Sequence, residues 1–154
     1  MGSPRLQAWF ADYATDHQHP TNRRIHKIAV PVIVFALVAA LDTLTLGAWG
    51  PLQITAATAV VAIWAGACVA LDRVVGAAVG LFLIASLAVA PFTPLWASAS
   101  LFVLAWIFQF VGHYGYEKRS PSFFDNALQL FVGPLFVSAV LLGRWPGPSA
   151  GSAT

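Results

Sequence analysis

The chain has 154 residues, of which 58% are apolar and only 9% are charged, and its mean hydropathy is +0.75. A soluble globular domain usually carries about 25% charged residues, so this composition excludes an ordinary water-soluble surface and indicates one integral membrane domain. The net charge of +2 is too small to indicate nucleic-acid binding. The single cysteine, Cys68, excludes an internal disulfide.

The first predicted element is a short helix over residues 4–16. The segment is too short and too charged to span a bilayer, so we expect it to lie in the interface. Pro20 is expected to end this helix and to begin the next one, because a proline in the first turn needs no amide donor. The apolar side chains that share one face of the first helix are Leu6, Trp9, Phe10 and Tyr13.

Five apolar segments follow, and they predict an all-α, multi-pass bundle of membrane-spanning helices. A span needs about 20 apolar residues, with a range of roughly 17–25, and the third and fifth segments are at the short end. A single domain over residues 1–143 and a disordered tail over 144–154 complete the prediction. The predicted spans are residues 28–46, 52–71, 74–90, 95–113 and 126–142.

The distribution of Lys and Arg predicts the orientation of these spans, since both residues favour the cytoplasmic side of a membrane. If all five segments cross, seven of the eight basic residues fall on one side and only Arg144 falls on the other. We therefore expect a cytoplasmic N-terminus, and all four histidines at the cytoplasmic face. Short loops and abundant alanine and glycine favour a bacterial inner membrane over the endoplasmic reticulum.

The four histidines are the candidate functional residues, because neutral imidazole is a common ligand of iron, copper and zinc. Three of them lie just before the first span, and His113 ends the fourth span, four residues before Glu117. Gln109 extends the face of His113 and Glu117 by one helical turn. The candidate ligands are His17, His19, His26 and His113.

The spacing of these histidines leaves several interpretations open. It matches no HExxH zinc motif, and polar residues beside lipid headgroups show the same pattern. A haem protein with axial histidines is a second alternative, and a membrane scaffold without enzymatic activity is a third. No GxSxG elbow, P-loop or GxGxxG motif points to another chemistry.

Two motifs resemble the signature of the 2-hydroxy fatty acid dioxygenase family. The first is Y-x3-H-x-H-P-x-N-x3-H-x4-P from Tyr13 to Pro31, and the second is Q-F-V-G-H-x3-E-x3-P from Gln109 to Pro121. Their order and separation by several apolar segments also agree. The chain departs from the family pattern at Ala29, where glycine is usual, and at Ser122, where alanine is common.

The resemblance implies an iron(II)-dependent dioxygenase that cleaves C1 from C2 of a long-chain 2-hydroxy fatty acid with O2. The acyl chain already partitions into membrane lipid, so a site at the membrane face suits such a substrate. The four histidines are then the candidate iron ligands, and Glu117 either completes the iron sphere or orients a ligand. The other candidates are Asn22 and Gln109 as orienting groups, Tyr13 as a lining residue, and Arg23, Arg24 and Lys27 as partners of the substrate carboxylate.

Overall fold

The computed structural model describes residues 3–145, and the fold is all-helical apart from one β-hairpin. The all-α prediction is therefore confirmed. Most of the predicted disordered tail, residues 146–154, lies outside the described residues. The helices are α1 (Pro4–Thr15), α2 (Pro20–Asp42), α3 (Ala56–Leu71), α4 (Arg73–Val89), α5 (Leu95–Phe110) and α6 (Leu128–Leu141).

Shorter elements connect these helices. An antiparallel hairpin of β1 (Thr45–Trp49) and β2 (Leu52–Thr55) joins α2 to α3. Single 3-10 turns follow α4 (Ala90–Phe92) and precede α6 (Ser122–Phe124), and α5 continues into a π-helix (Val111–Glu117). The second predicted span was expected to begin at residue 52, but its first four residues form β2 instead.

Side chains at the helix starts explain several boundaries. Pro20 stands in the first turn of α2, as expected. The Thr55 and Thr58 side chains form a capping box at the start of α3. The Asp72 carboxylate accepts hydrogen bonds from the backbone N–H of Val74 and Val75, both at 2.9 Å, and so starts α4 only two residues after α3 ends.

Three helical segments are long and apolar enough to cross a membrane: Pro20–Asp42, Arg73–Phe92 and Leu95–Glu117. They coincide with the first, third and fourth predicted spans. The helices in the second and fifth predicted spans have only 16 and 14 residues. At 1.5 Å per residue these reach about 24 Å and 21 Å, against about 30 Å of hydrocarbon. The prediction of five spans is thus not confirmed.

The bundle has two distinct ends. We call the end that carries His17, His26 and His113 the histidine end, and the end that carries β1 and β2 the hairpin end. α2 leaves the histidine end, α3 returns to it, α4 leaves it and α5 returns. α1 packs across the histidine end, where the Ser3 N–H donates to the Leu71 carbonyl oxygen at 3.3 Å.

Both ends of α6 lie at the histidine end. At its start the Gln129 Nε2 donates to Asp12 of α1 at 2.7 Å, and just beyond its last turn Arg144 pairs with Asp72 at 4.0 Å. The expectation that Arg144 lies on the opposite side of the membrane is therefore wrong. α6 packs against α1, α2 and α4, and eight of its 14 residues are buried, which is more typical of a short core helix than of a span.

Candidate metal centre

Three histidines meet at the histidine end of the bundle. His17 lies between α1 and α2, His26 lies two turns into α2, and His113 lies in the π-helix. The Nε2 atom of His26 is 3.1 Å from Nε2 of His17 and 3.2 Å from Nε2 of His113. All three side chains are buried, so the sequence motifs 87 residues apart form one enclosed cluster.

Backbone hydrogen bonds fix the tautomers of two of these imidazoles. His17 Nδ1 lies 2.7 Å from the Tyr13 carbonyl oxygen, and His26 Nδ1 lies 3.0 Å from that of Asn22. Because a carbonyl oxygen can only accept, each Nδ1 carries the proton. Each Nε2 therefore presents a lone pair to the other at 3.1 Å, and a cation bound by both would relieve the repulsion between them.

The separations of the Nε2 atoms suit a metal ion. With metal–nitrogen bonds of about 2.1 Å, two ligands at right angles lie about 3.0 Å apart and two at a tetrahedral angle about 3.4 Å apart. The observed 3.1 Å and 3.2 Å fall between these values. The Nδ1–H donors on backbone carbonyls supply the outer support that metal-binding histidines usually have. The three histidines can thus hold a metal ion, whose element this geometry does not select.

Burial controls the charge of His17, which precedes the first long apolar helix. It lowers the pKa of the His17 imidazole to about 4, and the nearby His113 acts in the same direction, while the bond to the Tyr13 carbonyl and the charge of Asp16 oppose them. At neutral pH His17 is consequently the neutral form that a metal requires.

The phenol of Tyr13 covers one side of this cluster. Its ring stacks on the His17 ring, with centroids 4.0 Å apart and planes within 5°. Burial, reinforced by the negative charge of Asp16, raises the pKa of Tyr13 above its ordinary range. The phenol therefore stays protonated and can donate a hydrogen bond.

The structure places His19 and Glu117 beside the cluster but outside it. His19 caps the start of α2, where its Nδ1 accepts from the Thr21 N–H at 3.2 Å and its ring packs on Tyr116. The Glu117 Oε1 accepts from the His19 backbone N–H at 2.8 Å and from Asn22 Nδ2 at 3.1 Å. Glu117 thus ties the π-helix to the positive end of α2, next to the carbonyl that orients His26.

Close packing in the π-helix positions His113. A Cβ added at Gly112 would overlap the Asn22 side-chain oxygen, so only glycine lets the π-helix approach α2 so closely. The wider π-helical turn keeps both His113 and Glu117 directed at α2. Sequence periodicity could not predict this turn, because it predicted a regular helix there.

An apolar cavity of about 220 Å³ opens from the three histidines into the bundle. Along α2 its lining runs from His26 to Leu37, which is about 16 Å of helix. The lining of α5 and the π-helix runs the opposite way, from His113 to Phe102. Gln109 lies in this lining, buried, and its Oε1 has no partner among the described residues.

The basic residues of α2 face two different ways. Arg23 and Lys27 line a small crevice that also contains Tyr13, His17 and His26. Arg24 instead lines an outer groove between α2 and α5, away from the histidines. The structure therefore brings two of the three candidate carboxylate partners next to the cluster and leaves the third outside it.

Sequence reasoning missed Gln129, which lines the same cavity. The signal was present, since an amide stands near the start of an otherwise apolar segment. Asp12, the acceptor of its Nε2 hydrogen, belongs to α1 and was not distinguishable from a solvated carboxylate.

Comparisons with known proteins agree with this site. The family described as "2-hydroxy-palmitic acid dioxygenase Mpo1-like" matches residues 4–145. A curated relative, the 2-hydroxy-palmitic acid dioxygenase MPO1 of Saccharomyces cerevisiae, is 53% identical over 38 residues, which are 24% of this chain and 22% of that protein. No solved structure matches the chain.

Proposed function

Because the chain belongs to the Mpo1-like family of 2-hydroxy-palmitic acid dioxygenases, we propose that it is an iron(II)-dependent dioxygenase acting on long-chain 2-hydroxy fatty acids. The reaction cleaves the C1–C2 bond: the 2-hydroxy acid and O2 give the fatty acid one carbon shorter, carbon dioxide and water. The observation that carries the proposal is the convergence of three buried histidines in the lining of an apolar cavity.

Three histidines are the proposed ligands: His17, His26 and His113. Three neutral nitrogen ligands leave open positions on a mononuclear iron, as in non-haem oxygenases. When bound, iron(II) supplies the redox chemistry that activates O2 and a Lewis acid for the hydroxyl and carboxylate oxygens. His19 is proposed to support the start of α2 rather than to ligate.

The cavity is proposed to hold the acyl chain. Its walls are apolar over about 16 Å from His26 to Leu37, so the chain is removed from water without leaving a polar group unpaired. The reacting C1 and C2 atoms then lie beside the histidines, because that is the polar end of the cavity. Trp64 and Trp106 complete the walls and exclude water from the reaction.

Polar groups around the cluster are proposed to bind the head of the substrate. The Tyr13 phenol donates a hydrogen bond to a substrate oxygen, and Arg23 and Lys27 attract the carboxylate. Arg24 is assigned no role in catalysis. Glu117 and Asn22 orient His26 through the start of α2, and Gln109 offers its amide to the bound molecules.

The proposed location is a bacterial inner membrane, with the histidine end at the cytoplasmic face. The position of α6 supports this orientation. Both of its ends lie at the histidine end, so Arg144 lies at the same end as the seven other basic residues. Large apolar side chains exposed on the outer faces of the long helices, such as Ile28, Leu81 and Ile107, are suited to lipid.

Oxygen consumption by anaerobically purified protein tests the proposal. Iron(II) and 2-hydroxypalmitic acid are added, O2 uptake is recorded and the product is identified by mass spectrometry. We expect uptake with a C15 fatty acid as product, and loss of both uptake and bound iron in His26→Ala and His113→Ala. His19→Ala is the matched control, and it should retain iron at the parent's stoichiometry.

Three outcomes would contradict the proposal. Bound iron without oxygen uptake would leave a metal site but refute this substrate. A Soret band in the purified protein would indicate haem instead. Parent-like iron content in both His26→Ala and His113→Ala would show that these histidines do not hold the metal.

A further inference from the structure

Gln129 is a buried amide in which only one of the two polar side-chain atoms is hydrogen-bonded among the described residues. It lies in the first turn of α6, is 8% exposed and lines the cavity that contains the three histidines. Its Nε2 donates to Asp12 Oδ2 at 2.7 Å. Its Oε1 is buried and finds no hydrogen-bond donor among the described residues.

The partner of Nε2 fixes the orientation of this amide. An ionised carboxylate only accepts hydrogen bonds, so Asp12 must face the NH2 group, and Oε1 must point the other way. A buried carbonyl oxygen costs free energy unless it meets a hydrogen-bond donor. Gln129 is thus an oriented acceptor that is suited to a ligand carrying a hydrogen-bond donor.

The surroundings of Gln129 place this acceptor near the reacting end of the cavity. Gly133, one turn further along α6, lies against Tyr13, since a Cβ added there would come within 3.4 Å of the Tyr13 hydroxyl. Tyr13 in turn stacks on the ligand His17. Gln129 therefore belongs to the wall that faces the head of a bound molecule rather than the tail.

We propose that Gln129 determines specificity for the 2-hydroxyl group, whose hydrogen its Oε1 accepts. This inference rests on the proposed function and names how that site distinguishes its substrate from an ordinary fatty acid. At neutral pH the head of a 2-hydroxy fatty acid has one donor, the hydroxyl, because the carboxylate only accepts. A fatty acid without the hydroxyl leaves Oε1 buried and unpaired, and it binds more weakly for that reason.

Ligand binding without turnover tests this assignment. Chelator-treated, metal-free protein in detergent micelles is titrated under argon with 2-hydroxypalmitic acid and, separately, with palmitic acid. Binding is followed by tryptophan fluorescence, because Trp64 and Trp106 line the cavity. Removing the metal matters, since a metal would itself favour the hydroxylated acid. We expect the parent to bind the hydroxylated acid about tenfold more tightly, the effect of one buried hydrogen bond.

Two variants separate the hydroxyl contact from a structural role. Gln129→Met keeps the size of the side chain and removes the acceptor, so it should reduce the ratio of the two dissociation constants to about one, because the hydroxylated acid loses its hydrogen bond and palmitic acid no longer leaves an oxygen unpaired. Asp12→Ala removes the exposed carboxylate that orients the amide, and should reduce the ratio to about threefold. Asp125→Ala removes another exposed carboxylate, near α6, and should keep the parent's ratio.

Each contrary outcome overturns the assignment. Three results would refute the role of Gln129. The first is an unchanged ratio of dissociation constants in Gln129→Met, and the second is equal weakening of the binding of both acids in that variant. The third is a metal-free parent that binds neither acid or that shows no preference for the hydroxylated one. A parent that prefers the hydroxylated acid but consumes no oxygen with iron(II) would refute the proposed function alone.

Discussion

The two ends of the bundle differ in whether their buried polar atoms have hydrogen-bond partners among the described residues. At the hairpin end the one buried hydroxyl of the capping box, that of Thr55, is fully used: it donates to Asp42 at 2.8 Å and meets Thr58. Large aromatic residues there, such as Trp49 and Phe92, are 80% and 85% exposed. At the histidine end, by contrast, three residues that line the cavity have a buried polar atom with no partner among the described residues: Gln109 Oε1, His113 Nδ1 and Gln129 Oε1.

This difference separates a structural polar group from a functional one. A polar group that only supports the fold is paired within the chain, because an unpaired one costs stability. Unpaired groups that converge on one cavity are retained where a ligand completes them. The exposed aromatic residues of the hairpin end are typical of a membrane interface and carry no comparable signal.

Acidification should have the largest effect on stability, and it should act at the histidine end. The pKa of His17 is about 4 in the folded chain and 6.5 in the unfolded chain, so the unfolded chain binds more protons between these values. Through His17 alone, metal-free protein should lose about 3 kcal/mol of stability as the pH falls from about 6.5 to below 4. Thermal unfolding in detergent at several pH values measures this loss.

The matched variants for this prediction are His17→Gln and His19→Gln. The first should make the pH dependence less steep than in the parent, because it removes one buried group that would otherwise be protonated on unfolding. The second should leave it unchanged, since its ring packs at the start of α2, outside the cluster. Equal slopes in both variants would argue against His17 as the source.

A methyl group at Gly112 should cost about 2 kcal/mol, because overpacking at a close contact typically costs 1–3 kcal/mol. In Gly112→Ala the new Cβ overlaps the Asn22 oxygen and displaces the residue whose carbonyl orients His26. Metal affinity should fall together with stability. Gly115→Ala is the control in the same π-helix, because its nearest neighbour lies 3.9 Å away. Similar metal affinity in the two variants would refute this explanation of the π-helix.

Neutralising Arg23 or its neighbour Arg24 in α2 tests which of the two basic side chains attracts the substrate carboxylate. Arg23→Gln should raise KM for the 2-hydroxy acid about tenfold, about 1.4 kcal/mol, while kcat changes little. Arg24→Gln, one residue further, should behave like the parent, since Arg24 faces the outer groove. Steady-state oxygen uptake distinguishes them, and an equal rise in KM in both variants would indicate general electrostatic attraction.

The smallest effect is expected at the hairpin end. Trp49→Ala removes a largely exposed ring far from the histidines, so kcat/KM should stay within about twofold of the parent and metal content should not change. A large loss of metal in this variant would show that the two ends are coupled.

Sequence reasoning predicted the helical class, the positions of the three long apolar helices and the residues that carry the histidine motifs. Composition and apolar run length suffice for these, because both are local properties of the chain. The same reasoning could not separate α6 from a span. A run of 14 apolar residues is equally compatible with burial between other helices, and only the contacts of Gln129 and Arg144 with distant carboxylates distinguish the two.

For the candidate site, too, some features follow from the sequence alone and others only from the tertiary structure. The sequence by itself determined which imidazoles are present and that they precede and follow apolar segments. Only the tertiary structure decided that His17, His26 and His113 meet while His19 caps a helix, and that Gln129 faces their cavity. The physical reason is that these positions depend on packing across the bundle. The π-helix packs closely on α2 at Gly112, both ends of α6 lie at the histidine end, and two backbone carbonyls fix the imidazoles.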